Sequence, residues 1–266
     1  MLLVTLPFLL NAQETTYGGK EEGLVKMHSG LGSLVIIPFS NRMYLSDADN
    51  PIGRETGLNP GELQAKFRNA LLYSLEEEMT RDWNIKVMYD EVSREEGFDL
   101  DFVHASCKYN YIPVSGEVLM ANDTTITKKD VRETKAKKSG SSGVQRGEVV
   151  TNSDDRVKFM DLEVINDTLF NYLDRNAESD YYLFINEMDI RHYIDDPDRI
   201  SSGGLSYQLK VHFSCVDKKG KPLLSGLATS KVKAETSNIY EVIKAGIPEI
   251  TAKMAKMIRG ISEEKD

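Results

Sequence analysis

The chain has 266 residues, of which 40% are hydrophobic and 28% charged, with a formal net charge of −9. This is the composition of a folded globular protein, long enough for one large domain or two small ones. The acidity argues against a nucleic-acid binder, which needs a basic footprint, and against adhesion to an anionic membrane surface.

The first ten residues of "MLLVTLPFLLNAQ" are apolar apart from Thr5 and Pro7, and Asn11, Ala12 and Gln13 follow. Ten helical residues rise only about 15 Å, half of a hydrocarbon core, so this run does not span a bilayer. An apolar stretch of this length ending at a small residue predicts a secretory signal over residues 1–12, cleaved after Ala12, although no Lys or Arg precedes it. The mature protein is then expected in the periplasm or outside the cell. No cysteine stands at the cleavage point to carry a lipid anchor, and no later stretch predicts a transmembrane helix.

Residues 13–32 are polar and glycine-rich and read as a flexible segment. "SLVIIPF", Ser33–Phe39, is a continuous apolar run with β-branched content and predicts a buried strand ending at Pro38. Residues 40–58 read as a loop. Asn59, Pro60 and Glu62 then form a helix start: a cap, a proline in the first turn and an acid three places on. Leu63, Phe67, Leu71 and Leu75 continue it as an amphipathic helix of about twenty residues. "WNIKVMY", Trp83–Tyr89, predicts a second strand, "FDLDFVHASC" a short helix and "KYNYIPV" an extended piece.

Residues 126–156 read as a flexible insertion without apolar period. Between Lys128 and Arg146 it carries seven basic residues and two acids, the pattern of a solvated loop. A helix resumes near Asn166, with Ile165, Leu169, Tyr172 and Leu173 on one side, and Asp180–Ile190 predicts a third strand. After a polar loop at 191–204 the alternation is clean. Leu205, Tyr207, Leu209, Val211, Phe213 and Cys215 face one way, and Ser206, Gln208, Lys210, His212 and Ser214 the other. "DKKGK" turns the chain into a partner strand, giving a hairpin with one face on a core. The last element is a helix from Ile239 with Ile243, Ile247, Ile250, Met254, Met257 and Ile261 in its stripe, which Pro248 should kink or divide.

These elements predict an α/β or α+β protein: one mixed β-sheet of about five strands with helices packed on it, forming a single domain over 33–262. The order of "SLVIIPF", the helix at 60–80, the strand at 181–190, the hairpin at 205–233 and the closing helix resembles the TolB amino-terminal region and curli-channel-type envelope lipoproteins. The "NAQ" export end is similar to that of secreted proteins of Bacteroidota. The resemblance covers about two thirds of the mature chain and implies an envelope role in assembly or binding, without catalysis. The insertion and the missing lipid-anchor cysteine depart from that pattern.

Candidate chemistry is sparse. Asp47, Asp49 and Asn50 in "SDADN" can offer oxygen ligands to a hard cation, but Pro51 and Leu58 occupy places where a calcium loop needs ligands, so the alternative is an Asx-rich turn. Asp195, Asp196 and Asp198 form a second acidic loop near His192, without a second histidine at ligand spacing. The other histidines are His28, His104 and His212, and no HExxH, G-x-S-x-G or phosphate-cradling glycine loop occurs. Cys107 and Cys215 are a candidate disulfide in an oxidising compartment, with a buried free thiol at Cys215 as the alternative. "NDT" at Asn122–Thr124 and Asn166–Thr168 offers candidate glycosylation sites, at either the asparagine or the threonine; a helix cap explains the second equally well. No cofactor is indicated.

Three functions remain open at this level. The first is a non-enzymatic exported module that binds or assembles with an envelope protein or glycan. The second is a hydrolase or metal-dependent enzyme using the acidic loops 40–58 and 191–204. The third is a structural subunit that pairs through a sheet edge. Oligomeric state is not legible in the sequence.

Overall fold

The computed structural model describes residues 32–90, 95, 97–113, 125–127, 143–145, 148–150, 158–192, 205–234 and 238–263. The leader at 1–12 and nearly all of the segment at 13–32 lie outside them. Strand β1 (Ser33–Ile37) is followed by a 3-10 turn (Asn41–Met43), strand β2 (Tyr44–Ser46) and helices α1 (Asp49–Thr56) and α2 (Pro60–Met79). Next come β3 (Asn84–Val87), α3 (Leu100–Ala105), β4 (Cys107–Pro113) and the short strands β5 (Thr125–Thr127), β6 (Gly143–Gln145) and β7 (Glu148–Val150). β8 (Lys158–Val164), α4 (Leu169–Asn176), β9 (Tyr181–His192), β10 (Leu205–Asp217), β11 (Pro222–Ala234) and α5 (Ile239–Glu263) complete the order.

The fold is an α/β or α+β arrangement around one mixed sheet in the order β3-β1-β9-β10-β11-β5. β1 lies parallel to both β3 and β9, while the β9–β10, β10–β11 and β11–β5 pairs are antiparallel. Five strands carry the sheet, and the three-residue strands β2 and β5 bring it to seven. β2 pairs with Met188–Ile190 of β9, further along the same edge that β1 occupies at Tyr181–Phe184.

Each face of the sheet has its own core because side chains alternate. Leu34, Ile36, Leu183, Ile185, Leu209, Val211 and Phe213 pack beneath α2 and α5, against Phe67, Leu71, Ile250 and Met254. Val35, Ile37, Tyr182 and Phe184 pack on the opposite side, against Val103 of α3 and Leu169 and Leu173 of α4. Helix α2 starts at the predicted cap: the Asn59 side chain accepts from the Glu62 N–H, and Glu62 accepts from the Asn59 N–H.

Five expectations need correction. Residues 40–58 are no simple loop. They hold the 3-10 turn, β2 and α1, which buries Ile52 and ends at Gly57 in a left-handed conformation with φ of 74°. Parts of the segment 126–156 are strand: β5 pairs with β11, and β6 pairs with β7. Ile165 is exposed and lies ahead of α4 rather than on its buried side. Of the two outcomes expected at Pro248, a kink or a division, division does not occur: the residue sits inside one continuous helix α5. Its missing donor costs about 3 kcal/mol, offset here by the burial of Ile247, Ile250, Met254 and Ile258 on both sides of it. Last, the hairpin is covered on both faces, because β8 and its antiparallel partner β4 lie over the polar one.

That second cover explains why His212, Ser214 and Ser225 are buried. The register of β9 against β10 shifts between His212 and Phe213, which pair with Glu187 and Ile185. Asn186 is therefore the extra residue of a bulge, and a bulge re-aims side chains. Its amide donates to the Ser214 hydroxyl at 2.9 Å and the Met160 carbonyl at 3.3 Å. Met160 N–H donates to His212 Nδ1 at 3.1 Å, Ser225 donates to Asp161 at 2.9 Å, and Tyr111 donates to Glu187.

Candidate functional site

In a sheet with parallel strands, a ligand seat forms where two neighbouring strands send their following loops to opposite faces. β1 and β3 are such a pair. The chain after β1 leads to α2 on one face, and the chain after β3 leads to α3 on the other. Between these exits lies a cleft of about 620 Å³. Its walls come from Pro38–Arg42 after β1, Asp90 after β3, Arg68 of α2, and Phe98–Asp101, His104 and Ala105 at α3.

Arg68 forms the floor. It belongs to the buried face of α2 between Phe67 and Leu71, and only 6% of its surface is exposed. Its Nη1 donates to Asp90 Oδ2 at 2.8 Å and its Nη2 to Asn41 Oδ1. The guanidinium carbon lies 5.0 Å from the Phe39 ring centre, a cation–π arrangement. The Nε–H is buried, with no hydrogen-bond partner among the described residues. Burial lowers the Arg68 pKa, and the Asp90 carboxylate works against that shift. Asn41 is itself held, since its carbonyl accepts from Gln64 Nε2 at 2.9 Å.

His104 stands beside this floor. Burial is the main reason its pKa falls to about 4, with the Arg68 charge adding to the effect and Asp101 and Asp90 opposing it. The imidazole is therefore neutral at pH 7, and its Nδ1 is buried with no partner among the described residues. A general base needs a third group to orient it, and that nitrogen has none. The arrangement can present hydrogen bonds and charge to a ligand, with Phe39, Phe98 and Leu100 supplying apolar wall.

The residues singled out in the sequence lie elsewhere. Asp47 accepts from Arg191 Nη1 at 3.3 Å and from the His192 N–H at 3.4 Å, at the far end of β9. Asp49 opens α1 and accepts the Tyr44 hydroxyl at 2.7 Å, and Asn50 is the second residue of the same helix. The "SDADN" carboxylates thus hold protein partners. The structure does bring Asp47 to the start of the segment 191–204, but Asp195, Asp196 and Asp198 lie outside the described residues. Among the described residues, no group of three or more His, Cys, Asp or Glu is placed to hold a metal ion.

Cys107 and Cys215 do not form a disulfide. Cys215 is in the core under α5 and Cys107 packs against the core of the opposite face, so the sheet stands between them. Burial pushes the Cys107 thiol up to about 12. Asn166 Oδ1 accepts from the Thr168 N–H at 3.0 Å and hydroxyl at 2.8 Å, an Asx turn leading into α4, while its Nδ2 donates to Ser106. Asn122 and Thr124 lie outside the described residues.

Sequence reasoning missed Arg68 and set His104 aside. Arg68 falls within the apolar stripe of α2, one place from Phe67. A charged residue on a buried helix face is a signal that can be read without a structure. Neither the family models nor the curated proteins contain a match to this chain.

Proposed function

We propose that this protein is an exported, non-enzymatic binding module of the cell envelope whose ligand seat is the cleft between β1 and β3. The observation that carries the reading is the position of Arg68: a buried guanidinium at the floor of a cleft formed where the β1 and β3 exits part. The neutral His104, with no orienting partner among the described residues, supports binding over proton transfer. The signal-like start at 1–12 and the net charge of −9 support a secreted body, and no helix among the described residues is long and apolar enough to cross a membrane.

Native mass spectrometry of the chain recovered from the periplasmic fraction tests both parts. The expected mass lacks residues 1–12 and carries a non-covalent small-molecule adduct. Ala105 is exposed on the cleft wall, so Ala105→Trp fills the cleft without entering the core, and the adduct should vanish in that variant. A cytoplasmic chain that keeps its leader, or an adduct indifferent to Ala105→Trp, overturns the reading.

A further inference from the structure

The cleft sorts its charges by depth. Inside is Arg68, against Phe39; the exposed charges of the lining are the carboxylates of Asp99, Asp101 and Asp90 and the Arg42 guanidinium. His104 registers both sets, since Arg68 disfavours its protonation and Asp101 and Asp90 favour it. The lining has two guanidinium groups against three carboxylates. A simple anion reaching for Arg68 meets Asp99 and Asp101 on the way, and a simple cation held by those acids faces Arg68 beneath. A molecule with both charges satisfies both regions at once.

The donors for such a molecule exist. A guanidinium has five N–H groups in a planar fork that matches a carboxylate. Arg68 gives one bond to Asp90 and one to Asn41, and its Nε–H has no partner among the described residues. Asp99 spends one oxygen on the Phe102 N–H at 2.9 Å, which leaves its second oxygen for a cation. Phe98 and Leu100 give the same lining apolar wall.

Resting on the cleft as ligand seat, we propose that it binds a small dipolar molecule of the α-amino-acid class: a carboxylate toward Arg68, an ammonium toward Asp99 and Asp101, and an apolar side chain against Phe98 and Leu100.

Isothermal titration of the full chain with three probes tests this. L-Leucine carries both charges, L-leucinamide lacks the anion, and N-acetyl-L-leucine lacks the cation. Leucine is expected to bind, and each blocked analogue to bind about tenfold or more weakly, tenfold being about 1.4 kcal/mol. Asp101→Asn, at an exposed position, should weaken leucine by a similar factor and leave N-acetyl-leucine unchanged, with its melting temperature as the check on folding. Equal binding of leucine and either analogue overturns the dipolar assignment. Failure of all three probes also overturns it. If the adduct sensitive to Ala105→Trp persists in that case, the cleft reading stands and only the ligand class falls.

Discussion

At the scale of single residues, Gly226 shows how closely the hairpin is fitted. It pairs with Phe213 across β10 and β11, and a Cβ built on it would lie 2.4 Å from that ring. The ring is fully buried and cannot swing away without disturbing the core beneath α5. Gly226→Ala should therefore cost about 1–3 kcal/mol, the usual range for overpacking, and a urea titration would show it as a lowered midpoint with an unchanged slope. The buried imidazoles make a second residue-scale prediction. Burial, and then Lys210, lowers the His212 pKa to about 3, and His104 falls to about 4. Unfolded histidines take protons near 6.5, so between that pH and about 3 the unfolded chain holds more protons and acid favours it. The groups facing His212 are Glu187 of β9, Tyr111 of β4 and Lys210 of its own strand. Glu187 acts in the opposite sense: burial raises its pKa, so it gains stability as pH falls. The expected result is a stability that declines below pH 6.5, with His212→Gln showing a flatter acid limb in denaturant titrations at several pH values.

At the scale of elements, the β4–β8 ribbon is less secured than the strands it covers. It is a two-stranded unit apart from the main sheet, and two strands alone are marginal in water. Met160 and Leu162 are buried beneath it, but much of its attachment is polar, through Met160 to His212, Asp161 to Ser225 and Tyr111 to Glu187. β9 and β10, by contrast, have apolar core on one face over 183–190 and 207–215 and further packing on the other. Amides of 107–113 and 158–164 should therefore exchange with deuterium before those of 181–190 and 207–215, as read by mass spectrometry of peptides; equal protection would show the ribbon to be part of the cooperative core. Elements also differ in how far the sequence reveals them. α2 was legible because its cap, proline and apolar period agree, and β1, β9 and β10 because they read as long apolar or alternating runs. α1 was not, since its eight residues include Pro51 and Gly53, both of which argue against a helix locally. β8 does alternate, with Met160, Leu162 and Val164 against Asp161 and Glu163, but seven residues beside a charged low-complexity segment carry little weight.

At the scale of the whole molecule, the sheet and its covering helices follow from patterns that any window of the chain displays. The cleft does not. Its walls come from the β1 exit, the middle of α2, the β3 exit and α3, and only topology brings them to one place. Composition pointed instead to clustered aspartates, of which the fold spends Asp47 on Arg191 and His192 and Asp49 on Tyr44. A lone arginine in a helix stripe is a quieter signal than a cluster of aspartates, yet burial makes it the more consequential charge, because an ion out of water must be compensated by its neighbours.

The position of α5 in chain order has a temporal meaning. Leu209, Val211 and Phe213 of β10 are covered only when Ile250, Met254 and Ile258 arrive, about forty residues later in the sequence. At roughly 5–20 residues per second of synthesis, a nascent chain carries that greasy sheet face uncovered for about 2–8 s. During that interval it cannot close into its final shape, and the bare face is free to meet other chains before its own helix arrives.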